Sequence, residues 1–165
     1  MSAGLVREPV HGLVQGTGGD TPHEAAHDLA RRVGQAMFAV DNATRDFMQM
    51  ELVACEPGRA VMRMRVREPM LNGHSICHGG MIFTLADSTF ACACNRRNLA
   101  TVAAGCSIEF LKAGQLDDVL TSEAQEQVLK GRHGIYDIRV SNQRGEVVAM
   151  FRGKSAQIQG SVIPE

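Results

Sequence analysis

The sequence predicts an α+β fold in which one antiparallel sheet packs around one central apolar helix. Six short segments alternate apolar and polar residues with a period of two, which is typical of half-buried strands. Between the second and the third lies a helical stretch, residues 79–95, whose only acidic or basic side chain before Arg96, cysteines aside, is that of Asp87. A helix without a polar face must be covered on nearly every side, so we expect the sheet to curl around it.

Length and composition fit one domain with its own core. The chain has 165 residues, of which 44% are hydrophobic, and a net charge of −1, and a domain runs to roughly 100–200 residues. The near-balance of charge and the lack of a basic block argue against nucleic acid and membrane partners. The longest nearly uncharged run, residues 79–94, is shorter than the roughly 20 residues that span a bilayer. Because the N-terminus lacks a secretory-signal pattern and the five cysteines cannot all pair, we expect a cytoplasmic protein with reduced thiols.

The first 20 residues are polar, glycine-rich and aperiodic, and we interpret them as a flexible leader before a single domain, residues 21–160. Thr21, Pro22 and Glu24 form the pattern of a capping box with proline at the first helical position. Apolar residues then recur at helical spacing as far as Val40, which predicts a first helix over residues 22–40.

Two strands in a hairpin are expected next. Alternation over residues 48–54 and again over 62–67 flanks the turn sequence EPGR. A loop, residues 68–77, then leads into the apolar helix, which ends at the cationic residues Arg96 and Arg97. Four more alternating segments complete the sheet, with KGRHG and NQRGE as turns, and the segment over 117–129 is the most polar of them.

Asp87 is the main candidate for a functional side chain. Phe83 and Phe90 share its helix face, because residues three or four apart are neighbours on a helix. An ionised carboxylate is costly to bury, so Asp87 must be paired, hydrogen-bonded, neutralised or placed at a cleft. A structural ion pair with an arginine such as Arg63 or Arg139 is the alternative interpretation.

Gly79 and Gly80 stand at the start of the same helix. Glycines there expose backbone N–H groups that, with the helix dipole, can bind an oxyanion. Asp87 follows Gly79 by eight residues, about 12 Å along the axis, which is too far for one helix to bring both groups to a single atom. A dimer with two antiparallel central helices would bring them together.

Zinc binding and a cysteine nucleophile are two alternatives that the residue types allow. The possible zinc ligands are His74, Cys77, His78, Cys92 and Cys94. Their spacing matches no strong zinc motif, and the side chains of a CxC pair in a helix point about 200° apart. Cys77 and His78 are adjacent in a loop with nothing to orient them as a nucleophile and its base. We therefore expect no metal.

The segment MLNGHSICHGGMIFTLADSTFACACN resembles the signature of the hotdog-fold acyl-CoA thioesterases, and is closest to their phenylacetate-pathway (PaaI-type) branch. The similarity covers roughly residues 25–158, and includes the Asn, the His-Gly-Gly and the Asp eight residues after the first Gly. It implies a hotdog fold, a dimer with one continuous sheet, usually a tetramer of two dimers, and active sites at the dimer interface. It implies no metal or redox cofactor.

The resemblance also implies residue roles. Asp87 would be the nucleophile or general base, and Gly79 of the partner subunit would donate its N–H to the thioester oxygen. His78 and Asn72 would position the substrate and the water or carboxylate. The substrate would be phenylacetyl-CoA or its ring-hydroxylated form, hydrolysed to the free acid and CoA.

Other expected contacts of the substrate fall into three groups. They are Gly80 at the helix start, Phe83, Leu85 and Phe90 for the acyl group, and Lys130, Arg132 and Lys154 for the CoA phosphates. Core packing is the alternative for the apolar side chains, and solvated surface charge is the alternative for the basic ones. Two other functions share the fold: an acyl-CoA hydratase or dehydratase, and a non-catalytic acyl-CoA-binding protein.

Overall fold

A computed structural model describes residues 21–164, so the expected leader, residues 1–20, lies outside the described residues. The helices and strands within this range follow one another in this order: α1 (Pro22–Val40), β1 (Glu51–Glu56), β2 (Arg59–Arg65), α2 (Gly79–Asn95), β3 (Thr101–Phe110), β4 (Val119–Lys130), β5 (His133–Ser141) and β6 (Val147–Gln157). A π-helical turn, Ala43–Phe47, and a 3₁₀ turn, Glu68–Met70, lie in the connections.

The six strands form one antiparallel sheet in the order β1-β2-β4-β5-β6-β3. The connection from β2 to β3 includes α2 and carries the chain to the far edge of the sheet. α2 contacts all six strands, and α1 packs against β1 and α2. The sheet is therefore wrapped around a central apolar helix, as the sequence predicts.

The core lies between α2 and the concave face of the sheet. Side chains from α2 such as Ile82, Leu85 and Phe90 are buried against sheet residues such as Tyr136 and Phe151. A Cβ atom at Gly153 would come within 2.8 Å of the Phe90 ring. The missing side chain of Gly153 thus lets the helix approach the sheet closely.

Local signals predicted several elements correctly. The hydroxyl of Thr21 accepts a hydrogen bond from the N–H of Glu24, whose carboxylate accepts one from the N–H of Thr21, so the capping box is present. Met62 and Met64 of β2 are buried, whereas Arg63 and Arg65, which follow them, are exposed. These features depend on neighbours in the chain, which is why the pattern alone predicts them.

The prediction for β1 was wrong beyond Leu52. The alternation placed Ala54 on the buried face, but a bulge between Leu52 and Ala54 shifts the register and buries Cys55 instead. β1 is an edge strand, and bulges are common at sheet edges because one side of the strand has no partner to fix the register.

β3 is the other edge strand, and both of its faces are largely exposed in the single chain. Val102 at its start is 45% exposed and Phe110 at its end is 52% exposed. A second bulge, between Ala103 and Gly105, interrupts its pairing with β6. The predicted alternation of this strand therefore does not correspond to burial within one subunit.

An ion-pair cluster holds the C-terminal end of α2 to the sheet. Glu126 of β4 accepts hydrogen bonds from Arg96 at 2.9 Å, from Arg97 at 2.8 and 3.0 Å, and from the hydroxyl of Tyr136 at 2.8 Å. These bonds, that of Arg97 first, lower the pKa of Glu126 to about 2. Burial and the adjacent carboxylate raise the pKa of Tyr136.

We expect Glu126→Gln to lower the free energy of unfolding by roughly 3 kcal/mol, because the Arg96 side chain, 4% exposed, would lose its counter-charge. Glu123→Gln on the same strand is the matched control. Its partner Arg59 is solvent-exposed, so the loss should stay below about 1 kcal/mol. Denaturant titration measures both variants.

The pH dependence follows from the sign of the shift. The pKa of Glu126 lies below its ordinary value of 4.5, so its stabilisation is complete above that value and is lost as the pH falls towards about 2. The loss of unfolding free energy in Glu126→Gln should therefore become smaller as the pH falls across this range. If Glu126→Gln and Glu123→Gln lose equal amounts of unfolding free energy at neutral pH, the stabilising role of Glu126 is contradicted.

Candidate active site

The loop before α2 is a hydrogen-bonded turn that fixes Asn72. The backbone N–H of Asn72 donates to the carbonyl of Ile76 at 2.9 Å, and its side-chain Oδ1 accepts from the N–H of His74 at 2.9 Å. Cys77 at the end of the turn donates its N–H to the carbonyl of Gly114 at 2.8 Å. The side-chain amide nitrogen of Asn72 has no hydrogen bond to any residue in 21–164 and is available as a donor.

His78 is the N-cap of α2. Its ring Nδ1 accepts a hydrogen bond from the backbone N–H of Gly80 at 3.0 Å. A neutral ring that accepts at Nδ1 carries its proton at Nε2, so His78 presents a second N–H donor to solvent. Because the Gly80 N–H is used by His78, any contact of Gly80 with a substrate would not involve this donor.

The backbone N–H of Gly79 has no hydrogen-bond acceptor among residues 21–164. Gly79 is the first helical residue of α2, where backbone N–H groups lack partners within the helix. The aligned peptide dipoles of α2 concentrate partial positive charge at this end. Of the two glycines, Gly79 is therefore the one whose N–H can bind an anionic oxygen.

Asn72 and Gly79 line one cavity of about 360 Å³. Most of the other lining residues are apolar, and they are Ile76, Cys77, Ile82, Phe110, Leu111, Lys112 and Ala113. The Lys112 ammonium is paired with Glu146. The cavity thus has a polar end that donates hydrogen bonds and apolar walls, which suits an apolar group that carries a carbonyl oxygen.

Asp87 is half-buried on α2 and forms neither an ion pair nor a hydrogen bond with the described residues. Burial raises its pKa. Arg63 and Arg139 are exposed and neither pairs with Asp87, so the structural ion pair considered above is absent among residues 21–164. A partly buried carboxylate without a partner carries a free-energy cost that a purely structural role does not explain.

Asp87 and Gly79 do not meet within one chain. The end of β3 lies against the start of α2, since a Cβ atom at Gly79 would be 3.1 Å from the Phe110 ring. Asp87 instead lies near Cys106, where its charge adds to burial in raising the pKa of the thiol. Phe110 lies four positions after Cys106 on β3, or about 13 Å along the strand. The Gly79 N–H and the Asp87 carboxylate therefore lie at separate places within one chain.

The aromatic residues proposed for the acyl group pack mainly in the core. Phe90 is fully buried, with its ring centroid 5.4 Å from that of Tyr136, and Leu85 is also buried. Phe83 is half-buried and packs edge-on against Phe151 at 5.4 Å. Phe90 and Leu85 therefore take the alternative role considered above, which is core packing.

The three basic residues proposed for the CoA phosphates are exposed. Arg132 lies in the β4–β5 turn and donates to the carbonyl of Gln157 at 2.6 Å, and Lys130 ends β4. Lys154 alternates with the buried residues Gly153 and Ser155, so it faces away from α2. It therefore lies on the opposite side of the sheet from Asp87.

Phe110 and Ile82 are residues of this cavity that the sequence did not single out. The sequence around Phe110 predicts a strand and nothing more. Its contact with Gly79 depends on the pairing of β3 with β6 at the sheet edge. Ile82 follows Gly79 by three residues, and this helical spacing is the signal that could have placed it at the same site.

Residues 21–164 contain no group of three or more His, Cys, Asp or Glu side chains placed to hold a metal ion. The five cysteines are free, and all but Cys106 are buried. No helix in the described part of the chain is both long enough and apolar enough to cross a membrane.

Comparisons with known proteins identify the family of this chain. The family model for the Thioesterase superfamily matches residues 74–149. Acyl-coenzyme A thioesterase PaaI of Escherichia coli (strain K12) is 44% identical over 130 residues, which are 79% of this chain and 92% of the relative.

Two solved structures extend the comparison. That of the E. coli PaaI protein from the phenylacetic acid degradation operon superposes with a TM-score of 0.80 at 42% identity, covering 82% of this chain and 98% of the other. A hypothetical thioesterase from Streptococcus pneumoniae TIGR4, solved with coenzyme A, superposes with a TM-score of 0.68 at 28% identity, covering 77% of this chain and 96% of the other. The chain therefore belongs to the thioesterase superfamily, and is an acyl-CoA thioesterase of the PaaI type with the hotdog fold.

Proposed function

We propose that this chain hydrolyses phenylacetyl-CoA, or its ring-hydroxylated form, at active sites that two subunits share. The observation that carries the proposal is the pair of separated half-sites: an unpaired N–H donor at Gly79 in an apolar cavity, and an unpaired carboxylate at Asp87. The arylacetyl group is supported by the similarity to a protein of the phenylacetic acid degradation operon. CoA as the carrier is supported by the coenzyme A in the Streptococcus structure.

The chemistry requires one anion-stabilising donor and one group that attacks or activates water. Attack on a thioester carbonyl places negative charge on its oxygen, which the Gly79 N–H stabilises by a few kcal/mol. Asp87 either attacks to form an acyl anhydride that water then hydrolyses, or takes a proton from the attacking water. Both routes release CoA as a thiolate, a good leaving group. Nε2–H of His78 and the amide of Asn72 then position the substrate and the water or carboxylate.

A dimer paired through β3 would join the two half-sites. If two β3 strands pair antiparallel about a two-fold axis near Ile108, Phe110 of one strand lies opposite Cys106 of the other. The Gly79 N–H of one subunit then reaches the level of Asp87 of the other. Support comes from the edge position of β3, one side of which pairs with no other strand in residues 21–164.

Two further parts of the assembly follow from the resemblance. Two such dimers would associate into a tetramer. Lys130 and Arg132 remain the proposed contacts of the CoA phosphates, since both are exposed and lie at one end of the sheet. The orientation of Lys154 away from α2 does not favour a contact within the same dimer.

The first test measures thiol release from phenylacetyl-, hydroxyphenylacetyl-, benzoyl- and short straight-chain acyl-CoA. We expect the two arylacetyl compounds to give the highest kcat/KM. Asp87→Asn keeps the size of the side chain but removes its charge, so kcat should fall about 100-fold or more. Asp117→Asn, which changes an exposed aspartate, should keep the wild-type rate. Wild-type protein that releases no thiol, or Asp87→Asn with an unchanged rate, would show the proposal to be wrong.

The second test separates a catalytic carboxylate from a structural one. Because burial raises the pKa of Asp87 above 3.8, kcat/KM should fall on the acid side with a midpoint above that value. The raised pKa also means that ionisation of Asp87 destabilises the fold as the pH rises through this range. Asp87→Asn should therefore have an equal or higher Tm at pH 7, with a smaller gain below about pH 4. A Tm several degrees lower would indicate a structural ion pair in the assembly.

The third test asks whether the site is shared. Gly79→Pro removes the N–H, and proline is favoured at the first helical position after a residue with the extended backbone of His78 (φ −62°, ψ 133°). Gly79→Ala retains the N–H and is the control for the added carbon. We expect Gly79→Pro and Asp87→Asn each to be nearly inactive.

Heterodimers of the two variants, co-expressed with different tags and purified through both, contain one intact and one doubly altered site if the site is shared. They should recover about half of the wild-type rate per dimer, as two-fold symmetry requires. Heterodimers as inactive as either parent would place both groups of a site in one chain.

A further inference from the structure

We propose that Phe110 forms the wall of the acyl pocket beside the oxyanion donor and determines which acyl groups the enzyme accepts. The proposal rests on the proposed binding of the thioester oxygen by the Gly79 N–H. It goes beyond that function because it identifies the side chain that distinguishes bulky apolar acyl groups from small ones.

The ring of Phe110 lies directly on the first residue of α2. A Cβ atom at Gly79 would lie 3.1, 3.4 and 3.5 Å from the ring atoms Cζ, Cε1 and Cε2. The far end of the ring is therefore the part that approaches the backbone of Gly79. Any larger residue at this position would crowd the ring, so Gly79 provides room for Phe110 in addition to its free N–H.

The core does not explain why a large aromatic side chain lies at this position. The rings of Phe83, Phe90, Phe151 and Tyr136 pack against one another in the interior. Phe110 makes no ring–ring contact with any residue in 21–164 and is 52% exposed. It lines the cavity that also contains Asn72 and Gly79. An aromatic ring that is open to a cavity beside a polar donor is arranged to contact a ligand.

The position of the ring relative to the donor determines which part of the substrate it meets. With the thioester oxygen on the Gly79 N–H, that oxygen lies one hydrogen-bond length from the backbone that the ring covers, and the carbonyl carbon lies one covalent bond further. The acyl chain then extends along the apolar walls formed by Phe110, by Ile82 one turn further along α2, and by Ile76. An arylacetyl ring can pack edge-on or offset against Phe110. An acetyl group ends at its methyl carbon and offers little surface to the ring.

The experiment compares Phe110→Ala and Phe110→Leu with the wild type on phenylacetyl-CoA and acetyl-CoA, measuring kcat and KM for each. For Phe110→Ala we expect kcat/KM to fall about tenfold or more with phenylacetyl-CoA and less than about threefold with acetyl-CoA. Most of the loss should appear in KM, because the ring contacts the acyl group before and during the reaction alike. Phe110→Leu retains an apolar wall and should have an intermediate selectivity.

Val102→Ala is the matched control, since Val102 is an exposed apolar residue at the other end of the same strand. It should leave the ratio of the two kcat/KM values unchanged. Light scattering after size exclusion reports whether each variant keeps the wild-type oligomeric state. If Phe110→Ala does not fold or assemble, the selectivity of Phe110→Leu decides the question.

Equal losses with both substrates, or an unchanged ratio in a correctly assembled Phe110 variant, would overturn the inference. This outcome differs from a failure of the proposed function, in which the wild type would not hydrolyse phenylacetyl-CoA. In that case the ratio is measured with the bulkiest apolar acyl-CoA that the wild type does hydrolyse, against acetyl-CoA. The expected and the overturning results for Phe110 stay the same.

Discussion

The burial of α2 is the constraint on which the rest of this structure depends. A helix with almost no charge cannot leave a face to water, so the sheet must bend around it until all six strands touch it. Because the chain passes through α2 between β2 and β3, β3 is added at the far edge of the sheet. The same edge strand then lies beside the start of α2 at one end and near Asp87 further along. The positions of both half-sites thus follow from how the helix is covered.

Several polar groups of α2 form hydrogen bonds within the fold, whereas two others form none with residues 21–164. The hydroxyl of Thr89 donates to the carbonyl of Leu85 at 2.7 Å, and the side chain of Asn95 bonds to the backbone of Thr101 in both directions. The Gly79 N–H and the Asp87 carboxylate have no hydrogen-bond partner among residues 21–164. Both residues are half-buried, so a substrate or a second subunit can still reach them.

Features that the sequence predicts well are those that neighbouring residues decide. The capping box at Thr21 and the buried face of β2 involve residues a few positions apart, so the local sequence pattern is enough to predict both. The bulge after Leu52 and the contact of Phe110 with Gly79 depend on which strands lie side by side, and alternation does not contain this information. The burial of Phe90 also depends on contacts between elements that are distant in the sequence. Helical spacing places Phe90 near Asp87. Its ring nevertheless packs in the core, in the space that the missing side chain of Gly153 on β6 leaves.

The hydrogen bond between Gly80 and His78 limits which residue can accept a proton in this site. While Nδ1 of His78 caps α2 and Nε2 carries the ring proton, the imidazole has no free lone pair, and it can donate but not accept. Protonation at Nδ1 would break the cap and leave another N–H of the helix start without a partner. His78 in this arrangement is therefore a donor that adds to the Gly79 N–H. Among the residues proposed for the site, only the carboxylate of Asp87 can then act as a base or as a nucleophile.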